Sequence, residues 1–339
     1  MKFLILFPTI LCIGYVATLC WFHVARKWLW LDSPNHRSSH AMPIPTSGGI
    51  GFVVAFAVCT LTLFYWHVIN FNELLLLSTA ILLAITGFID DLKNLSIKQR
   101  LLTQFAVCGF VVLTFVGAPV FVISDDLQIG GVTVRILFFL GLLWLVNLYN
   151  FMDGIDGLAV VEAIYFSLSV ALLTLAEGNT QISIIALGLA LSLCGFLYFN
   201  LSPAKLFMGD LGSNYLGLVL GVLGILGIVS DAVNVWTILV LLSVFIVDST
   251  TTLIARMGQG AIWYHGHNSH AYQYAARRFK SHGRVVAFVC GINVVWLLPL
   301  AWMTVRYRES GLLLTVLAWI PVAMLSLICK KDSSQSLVS

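Results

Sequence analysis

The feature that most constrains this chain is a series of near-continuous apolar runs, each about 20 residues long. A helix of that length rises about 30 Å, the thickness of the hydrocarbon layer of a bilayer. In lipid only helices and closed barrels satisfy every backbone polar group. Barrel strands would alternate polar and apolar residues over about ten positions, and these runs do not alternate. They place about eleven spans, at roughly 3–22, 47–68, 73–90, 100–117, 134–150, 157–176, 181–200, 214–230, 234–254, 284–304 and 311–329. Composition agrees, with 60% apolar and 10% charged residues against about a quarter charged in a soluble domain. The expected fold is an all-α, polytopic integral membrane protein. Residues 1–330 are expected to form one transmembrane domain, and 331–339 a short polar tail. The first run is long, weakly basic at its flank and lacks a small-x-small cleavage site, so it reads as a span rather than a signal peptide. The lipid bilayer is the expected partner, and no nucleic acid is. Seven cysteines all fall inside apolar runs without a CxxC pair, and read as small buried hydrophobes.

The distribution of charge orients the chain. If the first loop is cytoplasmic, that side carries Arg26, Lys27, Arg37, Lys93, Lys98, Arg100, Lys205, Arg256, Arg277, Arg278, Lys280, Arg284, Lys330 and Lys331. The other side carries Lys2, Arg135, Arg306 and Arg308. Basic residues favour the cytoplasmic side, so the N-terminus is expected outside and the C-terminus inside.

Five polar patches then fall on the cytoplasmic side. They are Asp32 to Gly49, Asp90-Asp91 to Lys93, Asn150 to Asp156, Pro203 to Ser213, and a loop holding His265, His267, His270, Tyr272, Gln273, Arg277 and Arg278. Each alone has a plain alternative. Asp90-Asp91 could be a solvated helix end, Asp153-Gly154-x-Asp156-Gly157 a turn, and Gly209-Asp210-x-Gly212-Ser213 a helix N-cap. Asp248 could pair with Arg256, and Glu162 reads as structural. Asp125-Asp126 reads as a plain outer loop. Together the patches suggest one site. Acids at Asp90, Asp91, Asp153, Asp156 and Asp210 with the amide of Asn150 offer hard oxygen ligands, which suit Mg²⁺, with Mn²⁺ as the alternative. Mg²⁺ keeps water and uses few protein ligands beside substrate phosphates. Few acids among many cations therefore point to a phosphate substrate.

The residues Asp32-x-Pro34-Asn35-x-Arg37-x-x-His40, Pro45-x-x-Gly48-Gly49, Asp90-Asp91, Asn150-x-x-Asp153-Gly154-x-Asp156-Gly157, Phe207-Met208-Gly209-Asp210-x-Gly212-Ser213 and His267-x-Ser269-His270-Ala271-Tyr272-Gln273 occur in that order. In this the chain resembles the polyprenyl-phosphate N-acetylhexosamine-1-phosphate transferases. That group also holds the phospho-N-acetylmuramoyl-pentapeptide transferase of peptidoglycan synthesis. The resemblance implies transfer of an N-acetylhexosamine 1-phosphate from a UDP-sugar (UDP-N-acetylhexosamine, or a 6-deoxy relative) to undecaprenyl phosphate. UMP leaves and Mg²⁺ is required. It also implies an inner-membrane protein with its site on the cytoplasmic face. Asp210 resembles the principal metal ligand and Asn150 the second. Asp90 resembles the base or orienting group for the lipid phosphate, with Asp91 its partner, and Asp153 lies near the metal and diphosphate. Phe207 resembles the aromatic that stacks on uracil, and Asp156 an acid that contacts the nucleoside. His267 and His270 resemble the loop that holds sugar and diphosphate.

Two positions depart from the branch pattern: Thr46 and Asn268 stand where Arg is frequent. Lys205, Arg277 or Arg278 could supply the missing phosphate contacts. The His-x-Ser-His-Ala-Tyr-Gln loop resembles enzymes that begin O-antigen or capsule chains rather than the peptidoglycan enzyme. A homodimer is allowed but not implied. A nucleotide-sugar or anion transporter would place its site near the midplane at a repeat interface, and no repeat is visible. A CDP-alcohol phosphotransferase would need Arg after Asp156-Gly157-Leu158-Ala159, where Val160 stands.

Overall fold

A computed structural model describes residues 2–32, 42–115, 121–124, 127–258 and 269–335. The chain is an all-α, multi-pass membrane protein. In order the helices are α1 (Lys2–Lys27), α2 (Ile50–Tyr65), α3 (Phe71–Ser78), α4 (Ala80–Lys93), α5 (Ile97–Thr114), α6 (Gly131–Met152), α7 (Leu158–Ala176), α8 (Thr180–Asn200) and α9 (Gly209–Val229). They continue as α10 (Val235–Leu241), α11 (Ser243–Gly258), α12 (Ala271–Phe279), α13 (His282–Ile292), a π turn (Asn293–Leu297), α14 (Leu298–Arg306), a 3₁₀ turn (Arg308–Ser310) and α15 (Gly311–Gln335). Strands are vestigial among the described residues. β1 (Leu31–Asp32) pairs antiparallel with β2 (Ile44–Pro45), and β3 (Phe121–Ser124) with β4 (Leu127–Ile129).

Among the described residues, every predicted span overlaps helix. Among the described residues, eight helical stretches, counting α3–α4 and α13–α14 as one each, are long and apolar enough to cross a bilayer, or nine if the bent pair α10–α11 is one span. The difference from eleven rests on α2, which has 16 residues, and on α5, whose first turns carry Lys98, Gln99 and Arg100. Helix α15 runs on into the segment expected as a tail. Asp125-Asp126 and His267 lie outside the described residues.

Local chemistry sets the helix ends. Capping boxes start α3 (Asn70 with Glu73) and α5 (Ser96 with Gln99), each tying two otherwise unpaired N–H groups. Asn94 ends α4 in the left-handed conformation, φ 51°, which asparagine tolerates better than most residues. Helix α9 is the central rod, buried along nearly its whole length. It packs on α4 and α6, and its small residues allow close approach. A Cβ on Gly217 would lie 2.5 Å from the Val146 Cα of α6. Outer helices show apolar faces, as at Leu61, Leu113, Leu172 and Val295. None of the seven cysteines is in a disulfide; Cys12 and Cys20 lie on the exposed face of α1 rather than inside.

Between α10 and α11 the axis turns by 77°. Asp248, on α11, is buried and accepts the Ala271 and Tyr272 N–H groups at 2.9 and 3.2 Å, so it caps α12 from across the fold. Glu162 of α7 is also buried, and Asn293 in the π turn donates to it at 2.5 Å. This fits its structural reading.

Candidate active site

The ends of α4, α6 and α8 and the starts of α5, α7 and α9 meet around a cavity of about 610 Å³. Its walls bring together Asp90, Asp91, Asn150, Asp153, Asp156, Phe207 and Asp210, residues up to 120 positions apart in the chain. Asp32, Thr46, Asn94, Arg100, Asn200, Gly209 and Gln273 complete the polar lining.

Asp91 does the local building. Its carboxylate accepts the Asp210 N–H at 2.8 Å, the Leu211 N–H at 3.4 Å and the Ser47 hydroxyl at 2.6 Å. A helix N-terminus has four N–H groups without intrahelical partners and a positive dipole end. Asp91 satisfies two of them at the start of α9. Asp210 is therefore not the N-cap; it sits in the first turn, and the cap comes from α4. Gly209, at φ +75°, turns the chain into α9 in a conformation that L side chains avoid. A Cβ on Gly87 would collide with the Asp210 carbonyl, so this glycine lets α4 lie directly on α9. Gly48 and Gly49 donate to the Phe207 and Met208 carbonyls at 2.8 and 3.0 Å, and the Phe207 N–H donates to Pro45. The Pro45-x-x-Gly48-Gly49 motif is thus a docking strip for the chain entering α9.

Asp90 is 6% exposed and accepts from the Leu95 N–H at 2.6 Å and from Arg100 at 3.1 Å. The same guanidinium lies 3.7 Å from Asp210. Asn150 donates to Asp210 at 2.6 Å and to Ser213 at 3.1 Å, which joins the last turn of α6 to the first of α9. Asp153 ends α6 with its carboxyl pushed well above the usual range by burial and then by the Asp210, Asp91 and Asp156 carboxylates. Burial would also raise Asp156, but His282 and the Ala204 N–H outweigh it and hold this carboxylate below the usual range.

Among the described residues, the predicted substrate contacts Lys205, His270 and Arg277 lie off the cavity lining. The Lys205 ammonium sits 4.2 Å over the Tyr198 ring, and the Arg277 guanidinium 4.5 Å over Tyr274. His270 is 2% exposed and stacks on Phe151 and Tyr272. It supports the wall from behind, because capping of α12 by Asp248 turns its imidazole inward. From that helix Gln273 reaches the lining, and the Tyr272 hydroxyl donates to the Phe151 carbonyl at 2.9 Å. Sequence motifs do not single out Arg100 or His282. Arg100 sits one antiparallel turn past Asp90-Asp91 on an apolar span, and such a cation at a span start is the available signal.

Among the described residues lining the cavity, six carboxyl groups (Asp32, Asp90, Asp91, Asp153, Asp156, Asp210) face one cation, Arg100, the reverse of the balance of few acids among many cations expected from the sequence, because Lys205 and Arg277 lie against aromatic rings off the lining. The mutual repulsion of these acids, one of the causes that raise Asp153, is what a bound cation would relieve. Among the described residues no group of three or more His, Cys, Asp or Glu side chains forms a metal cage alone. That donor set fits Mg²⁺, which completes its shell with water and substrate oxygens.

The profile of glycosyl transferase family 4 matches residues 73–228, the segment from α3 through α9 that supplies most of the cavity wall. Over 243 residues the chain is 28% identical to a Bacillus subtilis protein named as a probable undecaprenyl-phosphate N-acetylglucosaminyl 1-phosphate transferase, covering 69% of this chain and 66% of the relative. It is 29% identical over 265 residues to a phospho-N-acetylmuramoyl-pentapeptide-transferase of Streptococcus sanguinis, covering 71% and 76%. A Streptococcus pneumoniae protein of that same name is 32% identical over 227 residues, covering 62% and 66%. The chain thus spans just under two thirds of the length of the first and third of these relatives.

Proposed function

We propose, since the chain belongs to glycosyl transferase family 4, that it transfers an N-acetylhexosamine 1-phosphate from a UDP-sugar to undecaprenyl phosphate. The site would lie at the cytoplasmic face of a bacterial inner membrane, with the N-terminus outside. The product would begin an O-antigen or another surface polysaccharide. The observation that carries the reading is the joining of Asn150, Asp210, Asp90 and Arg100 in one cavity at the basic end of the bundle. The membrane sets a lipid acceptor within reach of that end.

In the reaction an oxygen of the lipid phosphate attacks the β-phosphorus of the UDP-sugar. The bond from that phosphorus to the bridging oxygen breaks, and UMP leaves with the oxygen. Two anions must approach, so catalysis is largely positioning and charge compensation. Asp210 and Asn150 would hold Mg²⁺, which when bound screens the diphosphate and the charge gathering on the departing UMP. Arg100 supplies a fixed cation between Asp90 and Asp210 for a phosphate oxygen. A phosphate monoester is already largely ionised near pH 7, so Asp90 serves by orienting the acceptor and Arg100 rather than as a strong base. Asp91 keeps Asp210 aimed by capping α9. Phe207 offers the cavity an aromatic face for the nucleobase.

Purified protein with undecaprenyl phosphate, Mg²⁺ and a panel of UDP-sugars, UDP-N-acetylmuramoyl-pentapeptide included, tests the reading through UMP release and lipid product. Turnover with UDP-GlcNAc or a 6-deoxy-N-acetylhexosamine donor is expected. Turnover with the pentapeptide donor alone would move the chain to the peptidoglycan reaction of its streptococcal relatives. Passage of UDP-sugar across vesicles without UMP would make it a transporter.

A further inference from the structure

His282 belongs to none of the motifs above, yet it is bonded into the wall of the site. Ser281 caps α13 through its hydroxyl, which accepts the Arg284 N–H at 3.3 Å, and so presents His282 at the helix start. Nδ1 of the imidazole lies 3.2 Å from Asp156 Oδ2 and 3.4 Å from the Asp156 N–H. Both side chains are largely buried, 18% and 11% exposed. The same Oδ2 accepts the Ala204 N–H at 3.1 Å. A second tie lies beside it: Asn200 accepts from the Gly157 N–H at 3.1 Å and donates to the Leu206 carbonyl at 3.1 Å.

The topology gives this knot its meaning. The loop between α6 and α7 follows Asn150, and the loop between α8 and α9 leads into Asp210. Asp156 lies six residues after Asn150 (156 − 150), and Ala204 six before Asp210 (210 − 204). The Asp156 carboxylate therefore joins the two loops whose other ends carry the residues placed on the diphosphate. His282 comes to this junction from a distant part of the chain. Its geometry serves in either protonation state. A neutral ring accepts the Asp156 N–H at Nδ1, and a protonated ring donates from Nδ1 to Oδ2. Asp156 lines the cavity and His282 does not, so His282 acts through Asp156.

We propose that His282 is a positioning residue for the nucleotide-sugar donor. It clamps Asp156 to Ala204 and so sets the spacing of the two loops that face the donor. The inference rests on the transferase reading for its kinetic consequence, though not for the clamp itself. Asparagine places an amide where Nδ1 sits, whereas glutamine places it where Nε2 sits.

Two measurements on the full-length protein test it. In steady-state turnover, H282A and H282Q raise KM for the UDP-sugar on the order of tenfold, as expected for loss of a hydrogen bond to a charged group. KM for undecaprenyl phosphate and kcat stay within about twofold, and H282N restores the wild-type KM. Amide hydrogen exchange followed by mass spectrometry, without substrate, shows faster exchange at 153–157 and 202–206 in H282A and not in H282N. Unchanged KM and exchange in H282A would overturn the proposal. So would equal defects in H282N and H282Q, the pair that decides if the alanine variant does not fold. If the wild type turns over no donor, the transferase reading has failed. Exchange then judges the clamp alone, supported by loosening of both loops and overturned by its absence.

Discussion

Asp91 shows how much a single carboxylate can fix in this chain. It ties Ser47 and two N–H groups of α9 together next to Asp210. Asp91→Ala is expected to cost about 1–2 kcal/mol for the lost cap, read as a lower unfolding temperature in detergent, and to cut turnover because Asp210 loses its mooring. Asp210→Ala leaves the α9 start intact and should abolish UMP release at any Mg²⁺ concentration; near-wild-type turnover would remove Asp210 from the metal role. Asp156 makes a prediction about pH. Its carboxylate is held below the ordinary value of 3.8 by His282 and Ala204 against the opposing effect of burial. A depressed pKa contributes stability that is present above the unfolded value and lost as pH falls through the folded one. Asp156→Asn should therefore destabilise at neutral pH, and the difference from wild type should shrink as the pH drops below 3.8. A constant difference from pH 7 to pH 3 would show that the charge of Asp156 is not what holds the loops.

At the scale of elements, the site depends on close helix crossings. Gly87 of α4 faces the Asp210 carbonyl with no room for a Cβ. Gly87→Ala should push α4 off α9, at an overpacking cost of about 1–3 kcal/mol, and reduce turnover without any change in ionisable groups. In the other half, Glu162 joins α7 to the π turn through Asn293. Glu162→Ala leaves the Asn293 amide buried without its partner, a loss of about 1–3 kcal/mol. Glu162→Gln keeps an acceptor of the same length and should lie nearer to wild type. Equal melting temperatures for all three proteins would show that this contact contributes nothing.

At the scale of the whole molecule, the apolar runs were enough to announce an all-α membrane protein, because bilayer thickness and backbone satisfaction leave few alternatives. The convergence of Asp90, Asn150, Asp153, Asp156, Phe207 and Asp210 was also legible, since alternating spans return every second loop to one end. What stayed hidden was set by tertiary direction. Nothing local in Asp91 says that it caps a helix beginning at residue 209. Nothing in His270 says that Asp248 turns it away from the cavity, and nothing in Lys205 says that its ammonium rests on Tyr198. Arg100 and His282 were missed because each stands alone in its own segment and meets its acid only through helix packing. The orientation has its own check. A cysteine introduced at Asn94 should be labelled only from the cytoplasmic side, and one at Asp231 only from outside.

The proposed reaction moves a sugar together with the phosphate that carries it. Purified protein given undecaprenyl phosphate, Mg²⁺ and a UDP-N-acetylhexosamine labelled with ³²P at the β-phosphorus reads this directly. The label is expected to enter the lipid fraction while unlabelled UMP is released. Label left in UDP, with sugar alone on the lipid, or label kept in intact UDP-sugar, would contradict it.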